Sequence, residues 1–440
     1  MERETPLKTR SFIAVLLSAL PLLALADGSA PSIPDTPAGH AFAAWLYAFN
    51  SGNRAGEEEF VKTYSWKTDL DGDMRWRAET GGYDLLDIYT NDQTHILFRL
   101  KARANGGEEI GTIQVSAAEP RVLTELGTYR IAAGSRFEAV TFDDATRARV
   151  IDQVTGVLND YYVFPETAQK MSAALRKRKT SRDYRAIRDG RDFARQLTWD
   201  LQEVSHDKHL EVRFSYVVLA ADLSRRNPGD ESKRLAAANC GFEKAEHLWP
   251  NVGYLKLDMF ADAEICAPTA SAAMNFVADS DALILDLRDN HGGDGEMVEF
   301  IASYLFAERT HLDDIFSRTD NATKETWTLP EVSGKKFIGK PVFVLTSKHT
   351  FSAAEYLSNV LRNLRRATLI GETTGGGAHL VETKRVDDHF LVRVPTGRPI
   401  TKTDWEGTGV EPDVKIAAAD ALDEALKRAR DQTTTPRSPP

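Results

Sequence analysis

Cysteine is scarce in this 440-residue sequence, and no cysteine belongs to a Cys-x-x-Cys pair. Cys240 and Cys266 therefore do not indicate a zinc site, and the sequence leaves open whether they form a disulfide or remain two buried thiols. Long basic runs are also lacking, and the formal net charge of −10 argues against a nucleic-acid-binding surface. We expect neither a metal ion nor a cofactor.

No apolar run after residue 26 is long enough to span a membrane, but the first 26 residues have the pattern of a secretory signal peptide. Lys8 and Arg10 precede an apolar run, and Ala24-Leu25-Ala26 has the small residues of a cleavage site. The run is shorter than the ~20 residues of a membrane anchor. We expect cleavage after Ala26 and a periplasmic or secreted protein, in which a disulfide could form.

The remaining length allows two or three domains, because single cores rarely exceed ~250–300 residues. Residues 27–38 are rich in proline, serine and glycine and are typical of a linker. Residues 39–135 have helical patterns followed by strand-like segments, which predict a small accessory α+β domain resembling the nuclear-transport-factor-like class. The pattern then predicts a helical subdomain (144–215), an α/β core (240–430) and a disordered tail (431–440).

The segment 341–355 predicts a strand, a polar turn and the start of a helix, with Ser352 at the junction. The unpaired N–H groups of a helix's first turn give a partial positive field, which suits a nucleophilic hydroxyl. Glu355 follows three residues later, which is the spacing of a capping box. This segment alone therefore favours an ordinary N-cap serine over a nucleophile.

Two further strands end in glycine-rich turns, at 281–295 and 367–377. Strands that alternate with helices predict a βαβ-type sheet with functional loops at the carboxyl ends of its strands. Gly292 and Gly293 would let the backbone approach a substrate carbonyl, and one of their N–H groups could form half of an oxyanion hole. The Ala353 N–H could form the other half.

Four motifs in this order resemble the tail-specific, or C-terminal processing, serine protease family: LILDLRDNHGG (283–293), TFSAAE (350–355), RATLIGETTGGG (366–377) and WEGTGVEPD (405–413). The resemblance covers residues 145–420 and is to the branch of interphotoreceptor retinoid-binding protein and the tricorn core protease. It implies a crotonase/ClpP-like α/β core. The space after His209 is too short for the peptide-gripping PDZ domain of the tail-specific branch.

The resemblance implies Ser352 as nucleophile and His209, in Asp-Lys-His-Leu, as general base, with His206 as a nearby competitor. The tail-specific branch uses a lysine in the glycine stretch, but residues 373–377 contain none. Glu406 matches the glutamate that orients the base in histidine-using relatives. Glu372 is the second candidate for that role, and it could instead hold the glycine loop by hydrogen bonds to backbone N–H groups.

Other polar residues receive lesser roles: His379 could line the cleft, and Asp286 with Arg288 is expected to form a structural ion pair. Tricorn relatives carry an acidic residue directly after the serine. Ala353 occupies that position, so a preference for basic substrate residues is not expected here.

The sequence thus predicts an exported serine endopeptidase that acts on a protein or peptide through an acyl-enzyme. One alternative is a non-catalytic ligand-binding or scaffold protein on the same fold, which would be expected to lack a member of the Ser/His/Glu set. Another is an acyl-CoA hydratase-like enzyme, because the core resembles the crotonase superfamily, but the signal peptide argues against it. The sequence does not indicate the oligomeric state.

Overall fold

The computed structural model describes residues 31–131, 135–138, 140, 142–181, 183–185, 187, 189–220, 228–400 and 404–434. The chain divides into two compact units, Met1–Ser135 and Arg136–Pro440. The predicted signal peptide lies outside the described residues. Within those ranges, every helix is too short or too polar to cross a membrane.

The first unit consists of three helices followed by an antiparallel sheet with the strand order β1-β2-β3-β4. Gly52 ends the first helix in a left-handed conformation, which glycine adopts without steric cost. The third helix was not predicted, because its sequence carries few large apolar side chains. The bounds are α1 (Pro37–Ser51), α2 (Arg54–Thr63), α3 (Leu70–Thr80), β1 (Tyr83–Asn91), β2 (His95–Ala102), β3 (Glu108–Val115) and β4 (Leu123–Ile131).

Aromatic side chains of α1 form the core of the first unit. Phe42 stacks on Phe98 of β2 with ring centroids 4.2 Å apart, and Phe49 stacks on Tyr83 of β1 at 5.3 Å. The helices thus cover one face of the sheet, as in other α+β domains.

The second unit opens with the predicted helices, α4 (Asp144–Tyr161), α5 (Pro165–Ser181) and α6 (Gly190–Ser205), followed by a short strand, β5 (Glu211–Phe214). Apolar residues on the three helices pack together with Val212 of β5. The strand was not predicted, and it joins this mainly helical region to a sheet formed by later parts of the chain.

The main sheet has six strands in the order β15-β12-β11-β8-β7-β6. All neighbours are parallel except β6, which is antiparallel to β7. Strands β8 and β11 are buried at every position, which explains their continuous apolar sequences. The bounds are β6 (Phe242–Leu248), β7 (Val252–Leu257), β8 (Ala282–Asp286), β11 (Val342–Thr346), β12 (Thr368–Gly371) and β15 (Val414–Lys415).

Helices cover both faces of this sheet. Ala421, Ala425 and Ala429 of the last helix pack on one face, at the four-residue spacing of a helical stripe. Four other helices contribute to the larger core on the opposite face. The bounds are α7 (Pro228–Ala237), α8 (Ala263–Phe276), α9 (Gly295–Ser303), α10 (Ala353–Asn363) and α11 (Ala421–Thr434). The last helix extends four residues into the predicted tail, and residues 435–440 lie outside the described part.

A second sheet in this unit has the order β10-β9-β14-β13, with β5 paired to β14. Its strands are β9 (His311–Ser317), β10 (Ala322–Trp327), β13 (Leu380–Arg385) and β14 (Phe390–Pro399). Strand β14 continues to Pro399 and pairs there with β9. This sheet brings the chain after His209 and the chain after His379 together.

The structure shows how the two cysteines are paired and whether Asp286 and Arg288 form an ion pair. Cys240 and Cys266 form a disulfide that joins the segment before β6 to α8, so the alternative of two free thiols was wrong. Arg288 donates from Nε to Asp286 Oδ1 at 2.9 Å, and the predicted structural ion pair is confirmed.

Candidate active site

The candidate site lies where two neighbouring strands of the main sheet end. Because β8 and β11 are parallel, the loops that follow them meet at one edge of the sheet. Thr350 Oγ1 donates a hydrogen bond to the Leu287 carbonyl at 2.8 Å, and the Phe351 N–H donates to the Asn290 carbonyl at 2.9 Å. These bonds fix the two loops against each other.

Ser352 lies in a sharp turn immediately before α10. Its φ of 56° and ψ of −121° fall outside the conformations that residues other than glycine normally adopt. An N-cap residue normally has an extended backbone, so capping alone does not account for this conformation. A similar strained strand-to-helix turn exposes the nucleophilic serine in α/β-hydrolases.

Glu355 holds the turn and the glycine loop together. Its fully buried carboxylate accepts hydrogen bonds from the N–H of Ser352 at 2.9 Å and from the N–H groups of Gly376 and Gly377 at 2.7 Å each. Thr374 also donates its hydroxyl proton to this carboxylate. Burial raises the pKa of Glu355, and these four hydrogen bonds oppose that shift. Sequence reasoning considered Glu355 only as half of a capping box.

The predicted oxyanion donors differ in whether their N–H groups are already used. The Gly292 N–H donates to Asn290 Oδ1 at 2.8 Å, so the expectation that it could serve the oxyanion hole conflicts with this geometry. Gly293 bridges to Phe260 in parallel pairing, in which the N–H of Gly293 points away from Phe260. Ala353 is the first residue of α10, so its N–H has no partner within the helix.

His209 is buried next to this turn. Its side chain is 4% exposed, and its ring lies 4.6 Å from the Phe351 ring, centroid to centroid. Among the residues that the structure describes, neither ring nitrogen has a hydrogen-bond partner. Burial lowers the pKa of His209 to about 4, although the neighbouring Asp207 carboxylate opposes the shift. His209 is therefore a neutral base at neutral pH.

His379 forms a buried ion pair that sequence reasoning did not identify. Its Nδ1 lies 2.6 Å from Asp207 Oδ2 and 3.4 Å from Glu406 Oε2. The Tyr162 hydroxyl donates to the same Asp207 oxygen at 3.1 Å. Burial by itself lowers the pKa of His379, but the hydrogen bond and charge of Asp207, together with Glu406, raise it overall. His379 was expected only to line the cleft.

The two glutamate candidates occupy different places. Glu406 Oε2 accepts a hydrogen bond from the Ala378 N–H at 2.6 Å, and its buried Oε1 has no partner among the described residues. Burial, with repulsion from Asp207, raises the pKa of Glu406 to about 7. Glu372 instead accepts from the Lys348 N–H at 3.3 Å, in the loop after β11. The geometry thus brings Glu406, and not Glu372, next to the histidines.

A cavity of about 780 Å³ adjoins these groups. Its walls include most of the predicted site residues, namely Ser352, Ala353, Gly292, Gly293 and His209. His379 and Lys208 also line it, and Lys208 Nζ donates to the Gly375 carbonyl at 2.6 Å. The cavity therefore lies against the Ser352 turn and against both buried histidines.

Three side chains behind the cavity have the spacing of metal ligands. One donor atom each from Asp207, His209 and Glu406 lies within 4.8 Å of the others. A histidine nitrogen and two carboxylate oxygens could ligate a divalent ion such as Zn²⁺. The same three groups would then be unavailable for proton transfer.

Comparisons with known proteins agree with this arrangement. Residues 251–416 match the model of peptidase family S41, and residues 140–241 match the N-terminal domain of Peptidase_S41 in eukaryotic IRBP. Over 192 residues the chain is 29% identical to carboxyl-terminal-processing peptidase 1 of Arabidopsis thaliana chloroplasts, covering 42% of this chain and 38% of that protein. It is 30% identical over 166 residues to the carboxyl-terminal-processing protease of Synechocystis sp., covering 37% of each.

The comparison with solved structures matches a putative peptidase from Parabacteroides merdae, with a TM-score of 0.46, 18% identity and coverage of 64% of this chain and 96% of that one. The tricorn protease matches with a TM-score of 0.43 and 14% identity, over 80% of this chain and 47% of that one.

The fold and site define an α/β protein with a serine in a strained turn at the carboxyl edge of a parallel sheet. The chain belongs to peptidase family S41, and the predicted family is confirmed. It spans little more than a third of the length of the curated relatives that it matches.

Proposed function

We propose that the chain is a serine endopeptidase that hydrolyses peptide bonds through an acyl-enzyme. The observation that carries the proposal is the strained backbone of Ser352, which lies in one cavity with a neutral, unpartnered histidine and an unused N–H at a helix start. A hydroxyl nucleophile needs a base and N–H donors for the oxyanion, and both are within this site.

In the proposed reaction, Ser352 Oγ attacks the carbonyl carbon of the scissile peptide while His209 takes the hydroxyl proton. The N–H groups of Gly293 and Ala353 stabilise the oxyanion of the tetrahedral intermediate. The C–N bond breaks as His209 gives its proton to the leaving amine. Water then attacks the ester by the same route, which frees the new carboxylate and restores Ser352.

Glu406 is the proposed partner of the His209 imidazolium, because its Oε1 is buried without a hydrogen bond and lies in the same cluster. Asp207 has a different proposed role. It accepts the His209 backbone N–H at 3.0 Å and pairs with the His379 ring, so it positions the base and shares its charge with a second histidine. Glu372 becomes a loop-holding residue.

We further propose a crotonase/ClpP-like core, a nuclear-transport-factor-like first domain and export of the protein. The six-stranded sheet with helices on both faces supports a crotonase/ClpP-like core, and the helices and meander of the first unit support a nuclear-transport-factor-like domain. The disulfide supports export, because disulfides persist in oxidising compartments.

The proposal is tested by labelling the full chain with a fluorophosphonate, which reacts only with an activated serine. We expect labelling of the wild type, none of Ser352→Ala, and rates lowered by about 10³-fold in His209→Ala and 10- to 100-fold in Glu406→Gln. Glu372→Gln and His206→Asn serve as matched controls and should label at nearly the wild-type rate. His206 ends α6 three residues before the proposed base.

Labelling that survives in Ser352→Ala would disprove the assignment of the nucleophile. No labelling of folded wild type, together with no hydrolysis of a denatured protein substrate, would overturn the peptidase proposal and favour a non-catalytic binding protein. A low rate in Glu372→Gln with a normal rate in Glu406→Gln would exchange their roles.

A further inference from the structure

The first unit contains a cavity of about 390 Å³ that the proposed peptidase chemistry does not use. Its walls combine aromatic rings with carboxylates: Trp45, Trp66, Trp76 and Phe60 line it together with Glu57 and Asp73. Three of the chain's seven tryptophans thus surround one cavity. Aromatic rings and carboxylates attract the same kind of ligand, because both present negative charge to it.

The aromatic wall is held rigid by the core of the unit. Trp45 of α1 is almost fully buried, and its ring centroid lies 6.2 Å from that of Trp76 on α3. Trp76 also packs against Phe49 at 4.5 Å and against Tyr83 at 5.8 Å. Rings fixed in this way lose little entropy when a ligand enters, which favours binding.

Glu57 is the unusual member of the cavity wall. It is 4% exposed, and within the described residues its carboxylate has neither a hydrogen-bond partner nor an ion-pair partner. Burial and repulsion from Asp73 raise the pKa of Glu57 to about 7. A buried carboxylate without a partner destabilises a fold unless it is protonated or meets a positive charge.

Within the described residues, the one cationic side chain that lines the cavity does not supply that charge. Arg130 lines the cavity, but it forms an ion pair with Glu79 and lies 3.9 Å from Glu109. Asp73 accepts a hydrogen bond from the Thr68 hydroxyl at 2.8 Å, which is a neutral donor. The cavity therefore keeps an excess of negative charge.

We propose that this cavity binds a small organic ammonium ion, with its cationic head among Trp45, Trp66 and Trp76 and paired with the carboxylate of Glu57. The inference is independent of the proposed peptidase activity, because it concerns residues of the first unit alone.

An inorganic cation fits the cavity less well. Within the described part of the chain, metal-ligand spacing occurs in the set Asp207, His209 and Glu406, and the cavity carboxylates do not form such a set. Tryptophan rings offer no lone pair to a metal ion, whereas their faces attract an organic cation. The wall composition thus selects a ligand that is both charged and partly apolar.

The test uses the full chain and isothermal titration calorimetry at pH 8. Choline is the cationic probe, and 3,3-dimethylbutan-1-ol is its uncharged analogue of the same shape. Nα-acetyl-lysine methylamide is a second probe, which distinguishes a free quaternary ammonium from a lysine side chain of a peptide. We expect saturable binding of an ammonium probe and at least about tenfold weaker binding of the alcohol.

Two variants locate the site. Glu57→Gln and Trp76→Leu should each weaken binding of the cation by about tenfold or more, whereas the alcohol should bind Glu57→Gln as it binds the wild type. Glu57→Gln removes a buried charge, so its melting temperature should not fall, and lost binding would not reflect unfolding. Trp199→Leu, at a 64% exposed tryptophan of the second unit, and Ser352→Ala are controls that should bind normally.

Equal binding of choline and the alcohol would overturn the proposal, as would unchanged cation binding in Glu57→Gln. The absence of saturable binding by both ammonium probes at millimolar concentrations would also overturn it. Loss of the peptidase activity in Ser352→Ala should leave cation binding unchanged. Failure of the ammonium-binding proposal would therefore appear in the calorimetry, and failure of the peptidase proposal would appear in the fluorophosphonate labelling.

Discussion

At the scale of single residues, the two histidines of the site occupy opposite environments. Burial without a hydrogen-bond partner keeps His209 neutral, whereas pairing with Asp207 favours the charged form of His379. Groups with pKa values driven apart in one site commonly divide acid and base roles. This contrast supports His209 as the base and His379 as a positioning residue that neutralises Asp207.

The role of His209 as the base can be tested through Glu406, because the protonation of Glu406 should control how kcat/KM depends on pH. Its pKa of about 7 means that it takes up a proton first as the pH falls, while His209 stays neutral down to about pH 4. A protonated Glu406 cannot stabilise an imidazolium, so kcat/KM should decline tenfold per pH unit below about pH 7 until it reaches the level of Glu406→Gln. Rates of hydrolysis or of fluorophosphonate labelling between pH 4 and 9 measure this limb.

In Glu406→Gln the titrating group is absent. The residual rate should be lower than in the wild type but should stay level until His209 is protonated near pH 4. Glu372→Gln is the matched control and should keep the wild-type profile. If the acid limb remained near pH 7 in Glu406→Gln, another group would be responsible for it.

At the scale of elements, the loops after β8 and β11 fit together because a glycine stands between them. Gly292 has a φ of 93°, and a Cβ at this position would lie 2.7 Å from Ser352 Cβ and 2.9 Å from the Ala353 nitrogen. Both contacts are shorter than side chains tolerate, so an added methyl group must displace the serine turn or the oxyanion donor.

We expect Gly292→Ala to lower kcat by about 10²-fold or more, since misplacement of the reacting groups by 1 Å has an effect of this size. Gly295→Ala is the control, because a Cβ there meets nothing within 4 Å. Circular dichroism and steady-state kinetics of both variants separate lost folding from lost catalysis. A well-folded Gly292→Ala enzyme with normal kcat would show that the turn can move without consequence.

The elements of the site were largely predictable, and the contacts between distant elements were not. A buried strand, a polar turn and a helical pattern are local signals, so the junction at Ser352 could be found from residues 341–355. His379 and Asp207 are separated by 172 positions in the chain, and no local pattern indicates that they meet. Their pairing depends on the sheet that joins β5, β13 and β14.

Three strands of that second sheet, β9, β10 and β13, were missed for a related reason. The sequences of β9, β10 and β13 carry many charged residues, since much of each strand is exposed or only partly buried. A search for apolar runs finds strands of a doubly covered sheet and overlooks strands with a solvated face. Glu355 does complete the predicted capping box through the Ser352 N–H, but its other partners, Thr374, Gly376 and Gly377, lie in the distant glycine loop, and no local spacing indicates them.

At the scale of the whole molecule, the two units have separate hydrophobic cores and different chemistry. The first unit holds a buried, unpaired carboxylate in an aromatic cavity, and the second holds the serine and its paired histidines. The proposed hydrolysis does not involve Glu57. The effect of Glu57 ionisation on the stability of the first unit can therefore be measured without an activity assay.

Glu57 makes the stability of the first unit depend on pH. Its pKa rises from 4.5 to about 7 on folding, so the folded unit binds the proton more tightly than the unfolded chain. The stability that this proton contributes is fully present below pH 4.5 and is lost as the pH rises through 7, on the order of 3 kcal/mol. Burial also raises the pKa of Asp73, which acts in the same direction.

Hydrogen exchange of the full chain, followed by mass spectrometry, localises this effect to the first unit. After correction for intrinsic rates, the protection of β2 and β3 should fall between pH 5 and pH 8 in the wild type, and the fall should be smaller in Glu57→Gln. A bound ammonium ion should restore the protection at pH 8, because it supplies the charge that the ionised carboxylate lacks. Equal pH dependence in the wild type and in Glu57→Gln would mean that Glu57 is not the titrating group, and the electrostatic argument for the cavity would fail with it.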